Sequence, residues 1–218
     1  FADDLAETKL ANGLEAMKTE IRQSHEEVEG ILRKAGMGQN TGKIVHMVHV
    51  TGPGSPAIIA ELAKWCEAEG LGRVCSQEKY LGNVKTYDGN CMPNVQRRIK
   101  SAEETYYSMK LFWPRKQVPF ALKVGVFKCL IQNTLLSGLE AEALSWQELN
   151  LLEKFQLKHM RKILGTANSV VSADGVRKQL TNVDVRKRFN THSLGSILRK
   201  RRLDMMRGMV KHPGDCVQ

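Results

Sequence analysis

The sequence predicts an α+β chain, with a short mixed stretch of strands and helices up to about Asn90 and an all-helical bundle after it. Three observations carry this. Lys43–Val50 (KIVHMVHV) is rich in β-branched residues and reads as a strand. Glu78–Val84 (EKYLGNV) reads as a second, shorter one. From Pro93 onward the apolar residues recur only at helical spacing. The 218 residues, 42% hydrophobic and 26% charged, have an ordinary globular composition and suffice for one large domain or two small ones.

Taken in order, FADDLAETKLANG begins extended or reads as a helix end, because Asp and Asn are poor in strand interiors. Leu14 to Lys34 is helical. Ile21, His25, Val28, Ile31 and Leu32 share one stripe, with Glu26, Glu27 and Arg33 on the other side. Gly36 and Gly38 stop this helix. After the strand at 43–50, TGPGSP is a loop. Ser55 as a cap and Pro56 in the first turn start a helix that runs to about Glu69. The strand at 78–84 is followed by a turn, YDGN.

The bundle follows. Over 93–110, Val95, Ile99, Ala102, Tyr106 and Met109 form a stripe, and Arg97, Arg98 and Lys100 lie off it. A second helix after Pro119 places Leu122, Val126 and Leu130 on one face, which Thr134 would extend. A third starts at the capping box Ser145-x-x-Glu148 and runs through Leu152, Phe155 and Ile163 to Gly165. Thr181-x-x-Asp184 starts another, and ILRKRRLDMMRGMVKH is the last. Trp113, Trp146, Phe155 and the methionines read as core residues rather than base-stacking platforms, and His159 and His192 receive no chemistry.

Charge is unevenly spread. Residues 1–70 carry 7 Lys/Arg against 11 Asp/Glu, whereas residues 161–218 carry 13 against 4. An acidic active end and a basic end that meets a polyanion would give this gradient, and so would a solvated basic helix surface. Five cysteines with no C-x-x-C spacing argue against a disulfide framework or structural zinc, and favour a reducing compartment. No apolar run approaches the ~20 residues of a membrane span.

The chemistry centres on Asp3 and Asp4. Two neighbouring carboxylates on a strand or hairpin are costly to bring together unless a cation sits between them. Mg2+ takes such oxygen ligands together with substrate phosphates, and in pairs it supports nucleotidyl transfer. Taken alone, Asp-Asp is more often a solvated turn or cap. The order of motifs extends the signal: FADD, GMGQNTGKIVHM, KYLG, DGN, RRIKSAEETYYSMKLFW, LKVGVFKCLIQNTLLSGLEA, LEKFQLKHMRKILG and RKRRLDMMRGMVKHP. This series resembles the C-terminal half of the reverse transcriptase of non-LTR (LINE-like) retrotransposons over nearly the whole chain.

The resemblance implies an incomplete polymerase palm with a primer-grip hairpin over 1–90. A helical thumb over 91–165 and a basic helical extension over 166–218 would follow. Asp3 would be the principal Mg2+ ligand, with Asp4 beside it and Phe1 near the primer terminus. Lys43 would face the triphosphate of the incoming dNTP; it also reads as a solvated strand-edge lysine. Tyr80, Leu81 and Gly82 would form the primer grip, or equally a plain strand ending in a glycine bulge. Arg97, Arg98 and Lys100 would hold the duplex of RNA template and DNA primer by its backbone. Arg199, Lys200, Arg201, Arg202 and Arg207 form the strongest basic patch, which also reads as a solvated tail or a nuclear-import signal. The resemblance implies an intracellular, nuclear protein without a membrane anchor.

Some features depart from the family. The stretch after FADD turns polar, the link from Val50 to Glu78 is long, and Met205, Met206, Gly208 and Met209 replace a Trp-x-Gly-His. The fingers and the first catalytic Asp are not in these residues. A fragment inactive by itself is therefore expected, in an enzyme that transfers nucleotides when intact. The alternatives are a non-catalytic nucleic-acid-binding helical module and a decayed relic.

Overall fold

A computed structural model describes residues 6–80, 82–171 and 177–211. Its backbone contacts group the chain into two compact units, Phe1–Asn90 and Cys91–Gln218. Among the described residues both helices and strands are present, with helix dominant and each sheet two-stranded, an α+β composition.

In the first unit, α1 (Leu14–Lys34) ends where Met37 donates to the Leu32 carbonyl and Gly36 to that of Arg33, a Schellman motif. The expected apolar stripe is only partly covered: no α1 residue is fully buried, and Ile31 stays 67% exposed. A 3-10 turn, Thr41–Lys43, precedes β1 (Val45–Met47). The expected strand of eight residues thus shrinks to three, because only these find ladder partners, in β2 (Arg73–Cys75). The pairing is parallel, with Val45 opposite Arg73, and α2 (Ser55–Ala68) forms the crossover. Ser55 is the first helical residue and not the cap: Gly54 holds the cap position, and the Ser55 hydroxyl donates to the Gly52 carbonyl. Gly72 is required just before β2. Its φ is +103°, and a Cβ there would lie 2.7 Å from the Ile44 carbonyl oxygen. Residues 78–84 form no single strand. β3 (Gln77–Tyr80) and β4 (Asn83–Thr86) make an antiparallel hairpin, with Tyr80 opposite Asn83.

The second unit is built on one hydrophobic core. In α3 (Met92–Ser108) the predicted stripe is the buried one: Val95, Ala102 and Tyr106 are buried, and Ile99 and Met109 pack against them. The next helix buries a face that keeps only Val126 of the predicted one against the core. α4 (Phe120–Val126) continues through a π-helical segment, Phe127–Gln132, into α5 (Asn133–Leu136). Lys123, Phe127, Ile131 and Leu135 point inward, while Leu122 and Leu130 are exposed. A step of four residues drifts by about 40° around an α-helix. The wider π turn reduces that drift, so positions four apart line up. A 3-10 turn, Leu139–Ala141, leads to α6 (Trp146–Leu164), whose capping box forms as expected. Ser145 accepts from the Glu148 amide at 3.3 Å, and the Ser145 amide donates to the Glu148 carboxylate at 2.6 Å.

Beyond Gly165 the bundle is not purely helical. After a 3-10 turn (Gly165–Asn168), β5 (Ser169–Val171) pairs antiparallel with β6 (Arg177–Gln179). α7 (Asn182–Arg188) starts at Thr181, which accepts from the Asp184 amide, and α8 (Leu194–Lys211) follows. Leu180, Val185, Phe189, Leu194 and Leu198 belong to the same core as α3 and α6. The extension expected from residue 166 is therefore packed onto the bundle, because its own apolar residues complete the bundle core.

Candidate nucleic-acid interface

Asp3, Asp4 and Leu81 lie outside the described residues. Lys43 sits exposed in the 3-10 turn before β1 instead of on a strand. Tyr80 closes the β3–β4 ladder, half-buried, and Gly82 takes a φ of +79° at the hairpin turn, a conformation that favours glycine. Among the described residues no group of three or more His, Cys, Asp or Glu is placed to hold a metal ion.

The expected cations divide by environment. On α3, Lys100 is exposed. Arg98 turns inward: burial pushes its pKa down, the field of Arg97 adds to this, and that of Glu140 opposes it. Arg97 and Arg98 are both half-buried. The basic run of α8 divides the same way. Arg202 donates to the backbone carbonyls of Glu140 at 3.1 Å and Glu142 at 2.5 Å. Arg201 donates to Asn133 Oδ1 at 2.5 Å. These two tie α8 to the bundle. Arg199 and Lys200 face solvent, and Arg207 pairs with Asp204 at 3.5 Å on the exposed surface.

The aromatic residues also divide. Trp113 and Phe155 are buried, as expected of core residues. Trp146 is 77% exposed, because the first residue of α6 extends past the core. His159 is fully buried, its Nδ1 2.9 Å from the Phe155 carbonyl and its ring 4.3 Å from that of Tyr106.

Sequence reasoning missed a cleft of about 520 Å3 at the ends of α3 and α6. Lys110, Lys116, Lys123 and Lys162 line it together with Tyr107 and Trp113, and no Asp or Glu does. The signal was present in YYSMKLFWPRK, where aromatic and basic residues alternate; reading its aromatics only as core hid it.

No family model matches the chain, and neither a curated protein nor a solved structure shows significant similarity to it. Among the described residues no helix is long and apolar enough to cross a membrane.

Proposed function

We propose that the chain is the palm-and-thumb region of a non-LTR retrotransposon reverse transcriptase, with the helical unit gripping the template–primer duplex by its backbone. The observation that carries this is the segregation of charge. Residues 91–218 hold 23 Lys/Arg against 10 Asp/Glu, whereas residues 1–90 hold 10 against 13. The positive excess thus lies in the unit with the larger core, where a rigid surface can meet phosphates without reading sequence. Asp3 and Asp4 would be the palm carboxylates toward Mg2+, whose chemistry is transfer of a nucleotide from dNTP to a primer 3′-hydroxyl. Lys43 would act toward the triphosphate, and Tyr80, Leu81 and Gly82 toward the primer. Residues 1–218 supply two of the three carboxylates this chemistry uses. Purified protein with Mg2+ or Mn2+ is therefore expected to give no primer extension, and template-dependent synthesis would refute that.

The same segregation supports a helical nucleic-acid-binding module with no polymerase heritage. Binding to an RNA–DNA hybrid is expected to weaken with salt, with a log–log slope of roughly 0.7 to 0.9 per phosphate neutralised. Flat salt dependence, or no binding at low salt, overturns both forms. Addition of Mg2+ and the templated dNTP separates them. A polymerase region tightens its hold on the hybrid and loses the gain in Asp3→Ala; a plain module shows neither change.

A further inference from the structure

We infer that the cleft lined by Lys110, Lys116, Lys123 and Lys162 is a phosphate-binding site. The site deepens the nucleic-acid function proposed above and rests on it for the source of the phosphate. Lys123 decides the matter. It occupies an inward position of the α4–α5 stripe, in line with Phe127, Ile131 and Leu135, where an apolar residue would pack at no electrostatic cost. Its side chain is nine-tenths buried, and among the described residues it has neither an ion-pair nor a hydrogen-bond partner. Lysine is almost never buried this far without a counter-charge. Lys123 lines the cleft, and its ammonium is not among the fully enclosed polar atoms, so it is open to an entering partner.

The other walls select the partner. Lys110, Lys116 and Lys162 are exposed and no Asp or Glu lines the cleft with them, so the site favours an anion with several acceptor oxygens. A phosphate is such an anion, and its oxygens accept from several ammonium groups at once. The site is also preformed. Lys162 donates to the Tyr107 hydroxyl at 3.0 Å and lies 5.3 Å from the centre of that ring. Trp113 stacks on Tyr106 at 5.3 Å and 9°, and its indole N–H donates to the Tyr106 carbonyl at 2.9 Å. Tyr107, 46% exposed, offers an aromatic surface beside the site to a base attached to the phosphate.

The phosphate can come from a single-strand backbone or from a free anion, and one set of titrations separates the two. A fluorescent oligothymidylate is bound to the full chain across a salt series, with sodium phosphate or sodium chloride of equal ionic strength as competitor. Lys123→Met keeps the length and packing of the side chain, and Lys116→Gln changes only an exposed residue, so at least one variant folds. Each is expected to reduce the salt slope by about 0.7, the share of one single-strand phosphate. Displacement by phosphate beyond that by chloride makes the site a discrete anion pocket; a reduced slope without such displacement makes it a backbone site. Wild-type slope and affinity in both variants overturn the site, while hybrid binding through Arg199 and Lys200 is left standing. If the wild type binds neither oligothymidylate nor the RNA–DNA hybrid, the nucleic-acid function fails. The site is then decided by tryptophan fluorescence under phosphate: a change abolished in Lys116→Gln supports it, and no change overturns it.

Discussion

Two buried cationic or protonatable side chains of the helical unit, Lys123 and His159, do opposite things. Lys123 lines an open cleft, whereas His159 is sealed among Tyr106, Phe155 and Tyr107. With its Nδ1–H donating to the Phe155 carbonyl, His159 is neutral and its Nε2 finds no partner in the core. Burial is the largest influence on this ring and holds its pKa below the ordinary 6.5. The unfolded chain therefore takes up a proton near pH 6.5 that the folded chain refuses. The stability associated with His159 is intact above about pH 6.5 and falls as the pH drops from there toward the lowered folded value, by at most about 1.4 kcal/mol per pH unit. Urea midpoints measured between pH 5 and 8 should show this slope. His159→Leu should flatten it, and an unchanged slope would mean that another group titrates.

At the scale of the element, α8 shows how one helix divides a run of like charges. Leu194 and Leu198 are buried, and Arg202 follows four residues later on the same side, reaching the carbonyls of Glu140 and Glu142. Arg199 and Lys200 are turned away from that side by the helical step of about 100°. Arg202→Gln should therefore cost about 1 to 3 kcal/mol in denaturant unfolding, since it removes charge-assisted bonds to backbone carbonyls. The double variant Arg199→Gln/Lys200→Gln should stay within about 0.5 kcal/mol of the parent. It should also lower the salt slope of hybrid binding by about 0.9 for each phosphate no longer neutralised. If the stability loss falls on the Arg199/Lys200 pair instead, the division is wrong.

At the scale of the whole molecule, the two units have unequal cores. In Phe1–Asn90 the buried apolar residues among those described are Leu62, Cys66 and Leu71. The helical unit buries a continuous cluster from Val95 to Leu198. The ion pairs that join α1 to α2 and its C-cap, Lys18–Glu61 at 3.3 Å and Arg22–Glu69 at 3.2 Å, lie at the surface and contribute little. Small cores give marginal stability, so the first unit should open at lower denaturant. The buried Cys66 thiol should become reactive to a labelling reagent in urea before Trp113 fluorescence changes, in a Trp65→Phe/Trp146→Phe background. Coincident transitions would show that the two units unfold as one.

What could be read without coordinates was set by neighbours in the chain. The limits of α1, the capping box at Ser145 and Glu148, the cap at Thr181 and the buried stripe of α3 all depend on residues within a few positions of one another. The net positive charge of the C-terminal half follows from composition alone. Folding decided the rest, because it depended on partners far along the chain. Only three residues of the β-branched run at 43–50 met a second strand, and the π segment rotated the inner face of its helix onto Lys123. Which arginines of α8 bind the protein's own carbonyls, and which lysines gather around one cleft, was settled by residues up to 62 positions apart in the chain. A charge written in a sequence has no direction until the core fixes which way its side chain points.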